Sequence, residues 1–156
     1  MSYILTKGNL LDSTADVLVN AVNTVGIMGK GLTKQFADTF PEIIQPYRDQ
    51  VKKPDFKVGD IAWTFTNTGK VVANVSTKAH WKMPSKLEWI KSGIYNLRSI
   101  CEELSGDEVL DYLPIETVAV PPLGAGLGNL NKHDVLELMV EEFKDSPISF
   151  WLYNFE

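Results

Sequence analysis

With 156 residues, 44% hydrophobic and 10% aromatic, the chain is sized for one domain with a substantial core, and a disordered segment is excluded. No apolar run approaches membrane-spanning length, no signal-peptide pattern opens the chain, and the single Cys101 permits no internal disulfide, so a reducing cytoplasm is expected. A net charge of −5, with Arg48 and Arg98 the only arginines, argues against a broad nucleic-acid-coating face and against an arginine cluster for phosphate. Any phosphate is therefore expected on backbone N–H groups. One cysteine and two histidines, His80 and His133, give no metal-ligand spacing, and neither metal nor cofactor is expected.

In chain order, Tyr3 to Leu5 begin a strand that runs into Gly8-Asn9-Leu10-Leu11-Asp12, with Asn9 and Asp12 as turn formers. Val17, Leu18, Val19, Ala21 and Val22 form the near-continuous apolar run of a strand buried on both faces. A helix starts at about Leu32, with Leu32, Phe36 and Phe40 on one face. Pro41 stops it and opens another through Tyr47 to about Val51. Lys52-Lys53-Pro54 reads as an exposed connection. Ile61 to Phe65 and Val71 to Val75 flank Asn67-Thr68-Gly69-Lys70, which predicts a β-hairpin. Its second strand delivers Ser76 to Trp81 at a carboxyl end, where ligands bind in α/β sheets.

Ser85-Lys86-Leu87-Glu88 has the spacing of a capping box. A long helix follows to about residue 104, with Leu87, Ile90, Ile94, Leu97, Cys101 and Leu104 as its packing stripe and Ser105 to Asp107 as its polar end. Ile115 to Val120 is another buried strand. Asn131 is placed to cap the next helix, with Asp134 in its first turn and Val135, Leu138, Met139 and Phe143 facing inward. Ile148 to Tyr153 close the chain as a strand. Strands alternating with helices predict an α/β fold, a three-layer α/β/α sandwich with a mixed sheet of about six strands and no internal repeats or linkers.

Two loops carry the chemistry. The first strand's apolar run is broken by Asn20 and Asn23, whose amides are costly to bury without partners. It runs into Gly26, Gly29 and Gly31, which permit positive φ and close backbone approach at a positive helix end. An ordinary strand-to-helix turn with satisfied asparagines explains this stretch alone about as well. A P-loop is rejected because no Ser or Thr follows Lys30, and a dinucleotide GxGxxG has the wrong spacing. The second loop, Pro121-Pro122-Leu123-Gly124-Ala125-Gly126-Leu127-Gly128, again joins a strand to a helix. Paired this way, the loops can cradle one ligand from two sides.

Gly8-Asn9-Leu10-Leu11, Val19-Asn20-Ala21-Val22-Asn23, Gly26 to Gly31 and Pro122 to Gly128, in that order, resemble the macrodomain, the ADP-ribose-binding module. Within the family, Asn23 to Leu32, Gln35-Phe36, Phe40-Pro41-Glu42, Thr77-Lys78 with His80-Trp81, and Pro121 to Gly124 look most like the DarG-type DNA ADP-ribosylglycohydrolases. The resemblance covers nearly the whole chain as a single macrodomain, without the additional toxin-binding domain usual in that branch. It implies an ADP-ribosyl hydrolase of glycosidase type, antitoxin-like, acting on ADP-ribosyl thymidine in single-stranded DNA, and a monomer.

By the same resemblance, Lys78 is catalytic, as a neutral nucleophile or as an electrostatic stabiliser, and Asn23 bonds the distal ribose. Asn9 stands where the family usually has an aspartate that bonds adenine. The implied ADP-ribose site further comprises Leu10, Asn20, Gly29, Lys30, Gly31, Leu32, Thr77, Leu123, Gly124, Ala125, Gly126, Leu127, Gly128 and Tyr153. Gly128 occupies the place of the aspartate used by the terminal ADP-ribose protein glycohydrolases, which points away from the protein-glutamate branch. His80 and Trp81 read as packing or lip residues rather than catalysts, and stacking of Trp81 on a nucleobase would suit a single-stranded DNA substrate. Other substrates that share such a pocket are protein esters, O-acetyl-ADP-ribose and ADP-ribose-1″-phosphate. A non-catalytic ADP-ribose reader is the alternative from a different class.

Overall fold

In a computed structural model, which describes residues 2–105 and 114–155, six strands form one sheet in the order β1-β6-β5-β2-β4-β3. The strands are β1 (Tyr3–Thr6), β2 (Val17–Asn23), β3 (Ile61–Phe65), β4 (Val71–Lys78), β5 (Thr117–Val120) and β6 (Ser149–Tyr153). All neighbours are parallel except β3, which runs antiparallel along β4 as the predicted hairpin. The helices are α1 (Gly31–Thr39), α2 (Ile44–Val51), α3 (Leu87–Leu104) and α4 (Lys132–Phe143), with single 3₁₀ turns at Leu10–Asp12 and Pro41–Ile43. The mixed-sheet α/β/α sandwich is as expected.

Strand alternation divides the core into two layers. Val17, Val19, Val75, Val118 and Val120 face α3 and α4 through Ile90, Ile94, Leu97, Met139 and Phe143. Leu18, Val22, Val72 and Ala119 face α1 and α2 through Phe36, Phe40, Ile43 and Tyr47. Cys101 lies in the first layer, where burial pushes its thiol up to about 12, so it is an inert packing group.

This division creates the site. The helix after β2 covers one face of the sheet and the helix after β5 covers the other, which is a topological switch point. The two strands pair at Val17↔Val118 and Leu18↔Ala119, and no further pairing occurs toward their carboxyl ends among the described residues. Beyond those rungs they diverge, and a crevice opens above them.

Most predicted boundaries hold to within a residue or two. The capping box does not form. Lys86, not Ser85, is the cap residue of α3 and makes no side-chain capping bond. Ser85 is buried, and its hydroxyl donates instead to the Thr77 carbonyl at the end of β4. A buried hydroxyl needs a partner, and here the strand end supplies it. Asn131 does cap α4, accepting from the His133 and Asp134 amides at 2.8 and 3.3 Å. The polar end read at Ser105 to Asp107 is described only as far as Ser105; Asp107 lies outside the described residues.

Candidate functional site

A cavity of about 580 Å³ fills the crevice. Its floor is Ala21 and Val22 of β2 with Pro121 and Pro122 after β5. One wall is the first glycine loop, the other is Gly124, Gly126, Leu127 and Gly128, to which the expected Ala125 does not contribute, and Thr77, Lys78 and Trp81 close the β4 side.

An irregularity in the sheet aims Lys78. Val22 pairs with Ser76, but Asn23 pairs with Lys78, so one extra residue of β4, Thr77, is accommodated between them. Such a bulge turns the strand and re-aims the side chains beyond it. Thr24 then holds the end of β4 in place, its amide donating to the Lys78 carbonyl at 3.1 Å and its hydroxyl to the Ala79 carbonyl at 2.9 Å. Lys78 Nζ donates to the Trp81 carbonyl at 3.3 Å. It has no carboxylate partner among the described residues. Desolvation by the surrounding walls lowers its pKa from the ordinary 10.5, which raises the share of neutral amine.

Asn23 organises the first loop. Its side-chain oxygen accepts from the amides of Val25, Gly26 and Ile27 at 3.0, 3.0 and 3.3 Å, and Nδ2 donates to the Ile27 carbonyl at 2.8 Å. Its carboxamide oxygen is thus spent within the protein. The second Nδ2 proton remains for a ligand, so the structure gives Asn23 a positioning duty beside the ribose-binding one expected of it. Tyr47, buried in α2, supports it from below, its hydroxyl donating to the Asn23 carbonyl at 2.7 Å and lying 3.2 Å from Oδ1. Burial raises the Tyr47 phenol to about 12, so it stays a donor. Arg48 Nε donates to the Gly26 carbonyl at 3.2 Å.

Tyr47→Phe removes this support. We expect a loss of about 1–2 kcal/mol, the cost of removing the donor to the buried Asn23 carbonyl, together with severalfold weaker ADP-ribose binding. Thermal denaturation and calorimetry on the same sample check both; an unchanged affinity would mean that the loop does not depend on this bond.

The loops present donors to the cavity. Lys30 caps α1 without a side-chain bond, so the amides of Gly31, Leu32 and Thr33 open the helix with no partner among the described residues. Across from them, the amides of Gly124, Gly126, Leu127 and Gly128 make no bond within the protein among the described residues, while those of Leu123 and Ala125 are spent on Pro121 and Pro122. Unpaired N–H groups on residues of two walls of one cavity would suit an extended anion such as a diphosphate. Gly26, Gly31 and Gly124 take the left-handed φ that favours glycine in such turns, at 88°, 62° and 76°; Gly29 does not, although positive φ is expected there too from the sequence.

Of the expected site residues, Asn23, Gly29, Lys30, Gly31, Leu32, Thr77, Lys78, Gly124, Gly126, Leu127 and Gly128 line the cavity. Asn20 does not. It is fully buried, and its amide donates to Asn74 Oδ1 at 3.2 Å within the sheet. Leu123 is fully buried behind its loop. Asn9 is exposed and does not line the cavity, its side-chain oxygen accepting from the Leu11 amide at 3.1 Å, while Leu10 and Tyr153 are core residues of the α1 and α2 layer. Ala21, Val22, Ile27, Thr33, Trp81, Pro121 and Pro122 complete the lining. Loop spacing carries no signal for the floor residues, because a buried strand looks the same whether a cavity or a helix lies above it.

These features define an α/β domain with a cavity at the switch point of its sheet, walled by two glycine loops whose amides are in part unpaired among the described residues, with a lysine at the end of β4. A Macro domain family model matches residues 19–139, and the chain belongs to the macrodomain family. Curated relatives include the DNA ADP-ribosyl glycohydrolases of Mycobacterium tuberculosis, 37% identical over 146 residues, and of Thermus aquaticus, 32% identical over 153. They align with 90% and 95% of this chain but 38% and 40% of their own length, so the chain spans about two-fifths of these relatives. Among solved structures, the macrodomain of Mycobacterium tuberculosis DarG superposes with a TM-score of 0.84 at 35% identity, over 96% of this chain and 97% of that one. Thermosipho africanus DarTG in complex with ADP-ribose superposes with a TM-score of 0.80 at 30% identity, over 96% of this chain and 41% of that one. Within the family, the similarity is therefore to the DarG macrodomains.

Proposed function

We propose that this chain is an ADP-ribosyl hydrolase that removes ADP-ribose from a modified nucleobase, thymidine in DNA. The observation that carries the reading is the placement of Lys78. It is opposite Asn23, partly desolvated, free of any described carboxylate partner, and on the wall of a cavity whose other two sides carry amides unpaired among the described residues. The amides would hold the diphosphate and Asn23 would hold the distal ribose. That leaves the anomeric carbon and the base facing Lys78 and Trp81. The names of the DNA ADP-ribosyl glycohydrolase relatives support the same substrate class.

Gly128 supports a nucleobase over a glutamate ester. A Cβ at this position would lie 2.4 Å from the Gly124 carbonyl oxygen, so the loop as folded admits no side chain there. The aspartate of the protein-glutamate branch has no room.

The test is a substrate comparison. Single-stranded DNA ADP-ribosylated on thymidine and a peptide ADP-ribosylated on glutamate are each incubated with the protein, and released ADP-ribose is quantified by chromatography. Release from DNA alone is the expected result. Release from the peptide alone would overturn the substrate, and binding of ADP-ribose with release from neither would make the chain a reader.

A further inference from the structure

Charge is distributed unevenly with respect to the cavity. The three segments that form its surroundings, residues 17–37, 71–87 and 117–133, contain six lysines and both histidines but no aspartate or glutamate. The rest of the chain carries all 20 acidic residues against nine basic ones. The segments around the cavity are thus richer in lysine than the chain's net charge of −5 suggests, although one of the six, Lys34, is paired with Asp38 at 2.6 Å.

Lysine is densest along the lip from Lys78 to Lys86. Trp81 lines the cavity and is 38% exposed. The His80 ring stacks on it at 5.5 Å, and Lys82 Nζ sits 4.9 Å from the indole centroid. Lys86 extends the line past Met83, which is 57% exposed, and its Nζ lies 5.0 Å from the Trp89 ring. The first acidic residue beyond it is Glu88, in the opening turn of α3. Exposed Ile27 and Leu127 stand on the two glycine loops. Aromatic faces interleaved with lysines meet the needs of an unpaired strand: bases stack, and phosphates find cations.

We propose that the lip from His80 to Lys86 is a docking surface for the single-stranded nucleic acid flanking the modified nucleotide. Trp81 forms the base platform at the cavity mouth, and Lys82 and Lys86 contact successive phosphates. This rests on the reading of the cavity as an ADP-ribosyl nucleotide site. A folded protein substrate fits the lip less well, because nothing about lysines at this spacing beside one indole selects a peptide.

The experiment uses Lys82→Glu/Lys86→Glu, which leaves the cavity lining untouched. Turnover is compared on an ADP-ribosylated octanucleotide and on ADP-ribosyl thymidine alone. The expected result is a loss of about tenfold or more in kcat/KM on the octanucleotide with little change on the mononucleoside. The salt dependence for the octanucleotide should also flatten by roughly 0.7 in log–log slope for each phosphate that no longer meets a lysine. Equal effects on both substrates, or none on either, would overturn the proposal.

Fluorescence anisotropy with labelled, unmodified octathymidylate and octauridylate tests the lip without turnover. Weaker binding in the double variant supports the surface, and the two probes distinguish DNA from RNA. Calorimetry with ADP-ribose separates the two levels: wild-type protein that fails to bind it overturns the cavity reading, whereas normal ADP-ribose binding with no strand preference overturns the lip alone.

Discussion

Lys78→Ala is expected to abolish release of ADP-ribose, by a factor on the order of 10³ or more, while leaving ADP-ribose affinity within a few-fold. The two effects separate because the amides that would hold the diphosphate belong to Gly31 to Thr33 and Gly124 to Gly128, on other elements. Single-turnover kinetics on ADP-ribosylated single-stranded DNA and calorimetry with free ADP-ribose measure them independently. Activity within threefold of wild type would remove Lys78 from the reaction.

The pH profile distinguishes the two ways a lysine can act here. As a nucleophile it reacts as the neutral amine, so the rate climbs with pH and levels off at a value depressed from the ordinary 10.5, because the cavity walls disfavour the cation. Attack at the anomeric carbon forms a carbon–nitrogen bond as the bond to the base breaks and the base leaves with its electron pair. Opening of the ribose then gives an imine that borohydride reduces to a stable adduct. A rising profile with a trapped adduct is the expected outcome. A rate that falls as pH rises, with no adduct, would make Lys78 a cationic stabiliser of the departing base.

Legibility in the sequence varies by residue. The strands and glycine loops are legible because buried runs, punctuating glycines and Asn131 are local signals. Lys78 is legible as a strand-end residue of a familiar pattern, but the bulge that sets it opposite Asn23 is not. A register shift is a property of two strands, and β2 and β4 are separated by some fifty residues. Ser85 misleads for the same reason. Its spacing to Glu88 satisfies a local rule, while a tertiary partner, the Thr77 carbonyl, takes the hydroxyl. Tyr47 shows only as part of a helix, and its hydrogen bond to Asn23 exists because α2 packs beneath the loop. Asn20 and Asn23 have similar sequence surroundings, yet Asn20 stays inside the sheet, its Nδ2 donating to Asn74 and its Oδ1 buried without a partner among the described residues, and Asn23 reaches the cavity.

Gly128→Ala is expected to weaken ADP-ribose binding about a hundredfold or more, although alanine adds one methyl group. The added Cβ would stand 2.4 Å from the Gly124 carbonyl oxygen and 2.9 Å from the Gly124 Cα. Both are backbone atoms that cannot rotate away. The same Gly124 carbonyl accepts from the Leu130 amide at 2.9 Å, and the Gly128 carbonyl accepts from the Ser85 amide at 3.0 Å. Relieving the clash therefore displaces the whole turn. Two or three anion-facing amides move with it, each worth about 1.5–3 kcal/mol to a charged ligand, which sets the size of the effect. Calorimetry measures it, and a melting curve confirms that the variant folds. Gly128→Asp carries the same clash, so it should not install glutamate-ester hydrolysis. If Gly128→Ala bound ADP-ribose as wild type does, the second loop would not be the diphosphate cradle.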